Sequence, residues 1–292
     1  MTAIPTPQVD RYLLGEVATL RLAPVDADDE PLTASAPVLV SIMDAAGTTV
    51  VDADSGEVED GGGLAYELDP ADFERLDTYA VLWTASIGGQ ARTWETGLEL
   101  CGRHYFSISA FRSWTHGRGL DSLPAAQIRD ARRRAEDRFE QLTRVAFVPR
   151  GTHARLTGDG RDTLLLPKVE LREVYAASLD DVALTAEELA GFTAEPTGAM
   201  VRSSSYGVWT DGAAIEVHYA HGYDRPPSDV VDAIMQYVEE LLADNPMPRR
   251  ATSVSTDVGA FRISTAGRDG FTGIPDLDAA VEAHARRRPT VG

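Results

Sequence analysis

The sequence predicts two domains: an N-terminal all-β sandwich, and a C-terminal α+β domain with a helical core, a β-insertion and an extended arm. Three observations predict this. The chain has 292 residues, more than the roughly 100–200 of a usual single domain. Residues 16–100 read with a period of two, whereas residues 124–143 and 228–243 carry apolar side chains at three- and four-residue steps. Charge divides at the same place: residues 1–101 hold 19 acidic residues and 4 arginines, the remainder 27 acidic and 23 basic residues. The expected boundaries are therefore 1–101 for the sandwich, 102–250 for the α+β domain, and 251–292 for the arm and a terminal helix.

Composition narrows the function classes. Hydrophobic residues make up 43%, enough for packed cores. There is no run of about 18 apolar residues, so no membrane span is expected, and the first residues lack the basic-then-apolar pattern of a secretory signal. Cys101 is the one cysteine. It excludes an intrachain disulfide and a thiolate cluster, and reads as a buried structural thiol with only His104 near it as a base. The net charge of −19 argues against a surface that holds nucleic acid by its phosphates.

In the first domain, "EVATLRLAPV", "PVLVSIMDAAGTTVV", "GLAYELD" and "YAVLWTASIGGQARTWETGLEL" are strand-like, rich in Val, Thr, Tyr and Trp. "DAAGTT" and "SIGGQAR" are hairpin turns in which glycine supplies positive φ. Tyr79, Val81, Trp83 and Ala85 share one face of a central strand. Six or seven strands in about 90 residues predict a sandwich. With a short acidic turn, Asp69 to Leu76, before "DTYAVLW", the layout resembles immunoglobulin-like domains, without the cysteine pair of antibody domains. The acidic loops "VDADDEP" and "VDADSGEVEDGGG" carry carboxylates but not the spacing of a calcium loop, and read as solvated turns.

The second domain begins with a short helix (107–115, apolar around Ser109 to Trp114) and a long one (124–143). Ser122 is the expected N-cap, and Pro124 fits the first turn. Ile128, Ala131, Ala135, Phe139 and Leu142 make one apolar stripe. Arg129, Arg132, Arg133, Arg134 and Arg138 fill the remainder, with Glu136, Asp137 and Glu140 at salt-bridging spacing. This face reads as solvated, or as paired with an acidic neighbouring subunit. Strand-like runs occupy about 150–223, broken by the glycine turn "GDGRDT" and the helical turn "TAEELAGF". "GDGRDT" is not a phosphate loop, since no Gly-Lys-Ser/Thr follows.

"AIEVHYAHGYDRPPSD" raises the question of a site, because His218 and His221 stand beside Tyr219, Tyr223 and Asp224. Ile215, Val217 and Tyr219 alternate with Glu216, His218 and Ala220. On a continuing strand His218 and His221 face opposite ways, so one metal uses both only if the chain bends near Gly222. The prolines end the strand, and Ser228 or Asp229 caps a helix over 228–243. Val230, Ile234, Val238 and Leu241, with Val231, Met235 and Leu242, form its buried stripe. The stretch reads as a strand–turn–helix joint with structural histidines. No catalytic, cofactor or metal residue is assigned.

The tail "ATSVSTDVGAFRISTAGRDGFTGIPDLDAAVEAHARRRPTVG" is polar, with spaced apolar anchors at Val254, Val258, Phe261, Ile263, Phe271 and Ile274. Such a segment orders on a partner more readily than on its own domain. A helix from about Pro275 follows, with Leu277 and Val281 on its apolar side and Arg286 to Arg288 where its dipole favours cations.

Three pieces in order carry a further resemblance: "RFEQLTRVAFVPR" followed by "TLLLPKVELREVYAASLDDVAL"; "AIEVHYAHGYDRPPSDVVDAI" leading into a long helix; and "VGAFRISTAG…GIPDLDAAVEAHARR". Residues 104–292 thereby resemble the head-to-tail adaptor (connector) proteins of long-tailed bacteriophages; residues 1–101 lie outside the resemblance. It implies a structural virion protein without catalytic residues or cofactors, forming a ring, usually of twelve, beneath the portal. It further implies contacts with the portal and with a stopper or tail-terminator protein, and assembly in the host cytoplasm into the virion neck. Double-stranded DNA would pass through the ring without specific binding. On that reading Arg129, Arg132, Arg133 and Asp137 serve the ring interface, and Val258, Phe261, Ile263, Phe271, Ile274, Leu277 and Val281 serve the portal-binding arm. The sandwich would contact capsid or host surface, and no membrane is involved.

Three rivals stand beside it. An enzyme would work through His218, His221 or Asp224, but the sequence lacks a nucleotide loop, a zinc helix and a nucleophile elbow. A tail-associated adhesin would bind carbohydrate through exposed Trp94 or Tyr66. Another neck or tail-completion ring protein would share the architecture with different neighbours.

Overall fold

A computed structural model describes residues 9–26, 28, 30–202, 207–243, 253–256, 259–262 and 272–286. Seven strands come first: β1 (Val9–Leu13), β2 (Ala18–Leu22), β3 (Ser35–Met43), β4 (Thr49–Val58), β5 (Leu64–Leu68), β6 (Asp77–Ile87) and β7 (Gln90–Cys101). Helices α1 (Ile108–Trp114) and α2 (Ala125–Thr143) follow. Next come β8 (Arg150–Thr157), β9 (Thr163–Leu165), β10 (Leu171–Leu179), β11 (Val182–Ala183), α3 (Ala186–Ala190), β12 (Phe192–Ala194), β13 (Ala199–Arg202) and β14 (Ala214–His221). Helix α4 (Ser228–Leu242), the hairpin β15 (Ser253–Thr256) and β16 (Gly259–Arg262), and α5 (Pro275–His284) complete the chain. The protein is mostly β-sheet with a few helices. Contacts divide it into two compact units, Met1–Gly102 with Pro149–His221, and Arg103–Val148 with Gly222–Gly292.

In the first unit the seven leading strands form one continuous hydrogen-bonded run, ordered β1-β7-β6-β3-β4-β5-β2, which folds over itself into a nearly closed sandwich. Strand β4 makes the turn of the sheet. Its first part pairs with β3, and Glu57 and Val58 pair with β5. Ala53 sits in the left-handed region, φ 49°, where the register slips. Gly56 lies where the layers approach: a Cβ there would be 2.8 Å from the Ala65 carbonyl oxygen and 2.9 Å from Val38 Cγ1. Along β6, Tyr79, Val81, Trp83 and Ala85 are buried and alternate with half-buried neighbours. They pack with Val40, Ile42, Leu64 and Leu98 in one core. Trp83 Nε1 donates to Thr96 Oγ1 at 2.9 Å. Strand β1, parallel to β7, is an addition to the expected set, which began near Glu16. Its VDRYL lacks the alternation of a half-buried strand, and all five residues are half-buried.

Strands β11-β10-β14-β8 form a second sheet and β12-β13-β9 a third. Met200, Trp209, Ile215, Val217 and Tyr219 fill the core of this region. The helical turn α3 carries a complete capping box between Thr185 and Glu188.

In the second unit, α2 buries Ile128, Ala131, Ala135 and Phe139, while Leu142 is half-buried. α4 buries Val230, Ala233, Ile234, Met235 and Val238. Three details differ from the sequence reading. The N-cap of α2 is Pro124, not Ser122, and that of α4 is Pro227, not Ser228 or Asp229; neither end has a side-chain cap. Proline's fixed φ starts each helix in place of a capping hydroxyl or carboxylate. Second, Arg132 is not on a solvated face. It is buried, donates from Nη1 to the Phe106 carbonyl at 2.8 Å, and lies 3.8 Å from the equally buried Glu136. Third, Leu277 and Val281 are each 1% exposed, because α5 packs on α4 and α2. The Arg286 backbone N–H donates to the Thr143 carbonyl at 3.0 Å, fixing the end of α5 to the end of α2.

Candidate functional site

The residues expected at a ring interface fall into two groups. Arg132 is interior, as above. Arg133 and Asp137 lie at the surface of α2, 3.5 Å apart, and Arg133 also reaches Asp130 at 2.9 Å. Such pairs one turn apart are worth only about 0.3–0.5 kcal/mol and exchange readily for an intermolecular partner. Arg129 is half-buried on the same helix. Of the arm residues, Val258, Ile263 and Phe271 lie outside the described residues. Phe261 belongs to the antiparallel β15–β16 hairpin, opposite Val254. Ile274 precedes α5, and Leu277 and Val281 are spent on packing within their own unit. Of the candidate sugar-stacking residues, Tyr66 is buried and donates to Asp54 Oδ2 at 3.0 Å, and Trp94 is half-buried against the sandwich core. In the acidic loop "VDADDEP", Asp26 Oδ1 accepts from the backbone N–H groups of Asp28 and Glu30, as a turn does.

Two polar clusters join the sandwich to strands β8–β14 inside the first unit. In one, Glu99 of β7 receives Arg11 at 2.7 Å and Arg150 of β8 at 2.9 Å. Burial alone would raise the Glu99 carboxyl; Arg150 and Arg11 outweigh it and hold it at about 2.

In the other, three ligand-type side chains meet. His153 of β8 and His218 of β14 are directly opposed in an antiparallel register, so both stand on one face. Asp77, the first residue of β6, points its carboxylate at them. It is 2% exposed. Its Oδ2 lies 3.2 Å from His153 Nε2 and 3.4 Å from His218 Nε2, and its Oδ1 accepts from the Thr78 backbone N–H at 2.8 Å. The two imidazoles stack with centroids 3.8 Å apart and planes at 22°, and Tyr175 meets His218 edge-on at 5.0 Å. Burial pushes the His218 imidazole down, against the pull of Asp77. The ligand atoms of all three residues lie within 4.8 Å of one another. The backbone makes this possible at Gly151, where a Cβ would stand 1.8 Å from the Leu76 carbonyl oxygen.

His221 takes no part in that cluster. It faces the other way, as the strand period required, and is buried with an Nδ1 that has no hydrogen-bond partner. Burial, then the charges of Lys168 and Arg150, pull it down to about 3, so it is neutral at ordinary pH. Tyr223 stacks on Phe147 in the second unit, centroids 5.8 Å apart. In the local sequence His218 stands beside His221, Tyr219, Tyr223 and Asp224. Its true neighbours, Asp77 and His153, are remote in the chain, and no local signal joins them.

In the second unit a cleft lies between α1, α4 and α5, lined by Trp114, Arg118, Asp229, Asp232, Asp276 and Ala280 among others. Arg118 stacks on Trp114 at 4.8 Å and holds Glu239 through both carboxylate oxygens at 3.1 and 2.9 Å. Asp229 Oδ2 accepts from His284 Nε2 at 2.8 Å, and that bond lowers its carboxyl.

No protein-family model matches the chain, and no curated protein matches it. Among solved structures, it is similar to a chain from the neck of an empty gene transfer agent particle computed with C6 symmetry. The identity is 18%, over 64% of this chain and 93% of that one, with a TM-score of 0.45. A chain of the native gene transfer agent virion is similar at 18% identity over the same shares, TM-score 0.44. CopC from Methylosinus trichosporium OB3b is similar at 15% identity over 33% of this chain and 85% of that one, TM-score 0.25. All three TM-scores lie below 0.5, and none carries a functional inference. No helix among the described residues is long and apolar enough to cross a membrane.

Proposed function

We propose that this protein is a structural component of a phage-type particle neck: a head-to-tail adaptor that assembles as a ring beneath the portal, continues the DNA channel and meets a stopper or tail-terminator protein below. The observation that carries the reading is the order of elements in 103–292. Helices α1 and α2, then an inserted β-region, then α4, a β-hairpin and α5 follow one another, in the order that the three resembling sequence pieces imply. The helical unit is interrupted only by that insertion, between Val148 and Gly222. The sandwich is read as an immunoglobulin-like decoration. Its Tyr79 hydroxyl donates to the Arg75 carbonyl four residues upstream, at 3.3 Å, in the manner of a tyrosine corner. The net charge of −19 suits a particle through which phosphate must pass without adhering.

Ring formation then uses the outer side of α2, with half-buried Arg129 and Arg133 and exposed Asp137, and not Arg132. Portal engagement uses the segment between α4 and α5, since α5 itself is committed to its own unit. The protein has no catalytic role in this account. The test is the mass of the purified chain alone and with its cognate portal protein. The expected result is a small species alone and a closed multimer on the portal; a monomer indifferent to portal contradicts the proposal.

A further inference from the structure

We infer that Asp77, His153 and His218 form a binding site for one divalent transition-metal ion of the zinc type, which ties strands β8 and β14 to the first residue of β6.

The donor set is the first argument. One buried carboxylate and two imidazoles suit zinc and its neighbours, whereas magnesium and calcium favour all-oxygen sites. Spacing is the second. Ligands at 2.0–2.1 Å around a tetrahedral ion lie about 3.3 Å apart, and the carboxylate oxygen stands 3.2 and 3.4 Å from the two Nε2 atoms.

The third indication is the Nε2 of His218. It is buried without a hydrogen-bond partner and faces Asp77 Oδ2 at 3.4 Å. With the ring proton on Nδ1, the Nε2 lone pair is free, the tautomer a metal-ligating histidine uses. Here that lone pair is aimed at a carboxylate, two electron-rich atoms 3.4 Å apart in a buried place. A cation between them removes the conflict.

The surroundings hold the ligands in place. Thr78 N–H fixes the second carboxylate oxygen, Tyr175 braces the His218 ring, and Gly151 lets β8 pass against the Leu76 backbone. His153 is the adjustable ligand. It lies on the edge strand of its sheet, and its side chain is 25% exposed. Ion binding turns its ring out of the stack with His218, and the exposed side admits water as the fourth ligand. The ion's role is a cross-link between chain segments far apart in sequence, and it stands independently of the neck proposal.

The test uses full-length protein stripped with a chelator and titrated with Zn²⁺, Co²⁺ and Mg²⁺. One equivalent of Zn²⁺ should bind, Co²⁺ should give the intense visible bands of a tetrahedral complex, and a hundredfold excess over Kd should raise the unfolding midpoint by about 5 °C. Mg²⁺ should do neither. His153→Ala, on the edge strand, should stay folded and lose both responses, and His218→Ala should behave likewise if it folds. His116→Ala, an exposed histidine elsewhere, should retain them. The inference is overturned by failure of the wild type to bind Zn²⁺ stoichiometrically, by equal responses in His153→Ala, or by a midpoint that follows pH and not Zn²⁺. In the last case a proton alone fills the place.

Discussion

Glu99 and Arg150 form a buried ion pair, 2.9 Å apart, between the last strand of the sandwich and the first strand of the insertion. Their side chains are 13% and 4% exposed, and Arg11 completes the set at 7%. A carboxylate so held at about 2, against an unfolded value of 4.5, binds fewer protons folded than unfolded. Its contribution is therefore present above pH 4.5 and lost as pH falls toward 2, on the order of 3 kcal/mol. Glu99→Gln removes the buried carboxylate that the Arg11 and Arg150 side chains share. We expect a loss of about 3–5 kcal/mol at pH 7 by urea unfolding, and a flatter stability curve below pH 4.5.

Gly151 stands where no side chain fits. A Cβ there meets the Leu76 carbonyl oxygen, its carbonyl carbon and the Asp77 nitrogen, all backbone. Backbone cannot move aside as a flexible side chain can, so Gly151→Ala should cost at least about 1–3 kcal/mol. It should also lower Zn²⁺ affinity, because β8 carries His153. Calorimetry and ion titration on the same preparation check both.

His221 governs a different pH window. Its folded value near 3 lies below the ordinary 6.5, so between these values the unfolded chain binds the extra proton. Stability should fall as pH drops from 6.5 toward 3, and the part between 6.5 and 4.5 precedes the Glu99 window. In His221→Leu that first segment of the slope should become shallower, the remainder belonging to His218, whose imidazole burial also pushes down, measured as unfolding free energy at half-unit pH steps.

Leu277 and Val281 distinguish packing from portal binding. Both are fully buried in the second unit. Leu277→Ala should cost about 2–5 kcal/mol and Val281→Ala somewhat less, in the isolated protein with no partner present. Unchanged stability would return them to the arm.

What the sequence made legible was whatever local periodicity controls. The β6 alternation put Tyr79, Val81, Trp83 and Ala85 inside, and the α2 and α4 stripes buried Ile128, Phe139, Ile234 and Val238 as their spacing requires. The same local reading failed at helix starts, where prolines 124 and 227 stand in for capping side chains. It failed at Arg132 too, because a charged side chain on a helix reads as solvated unless its partners, Glu136 and the Phe106 carbonyl, are known. The Asp77–His153–His218 cluster was illegible for the same reason at longer range. Its members meet only through strand register and the Gly151 approach, which leave no motif.

The most direct test of the central claim is cryo-electron microscopy of particles whose copy of this chain carries a small label in the exposed turn at Ala46 and Gly47 between β3 and β4. The account predicts labelled density arranged cyclically at the junction of head and tail. Label at the tail tip, or intact particles without the chain at that junction, contradicts it.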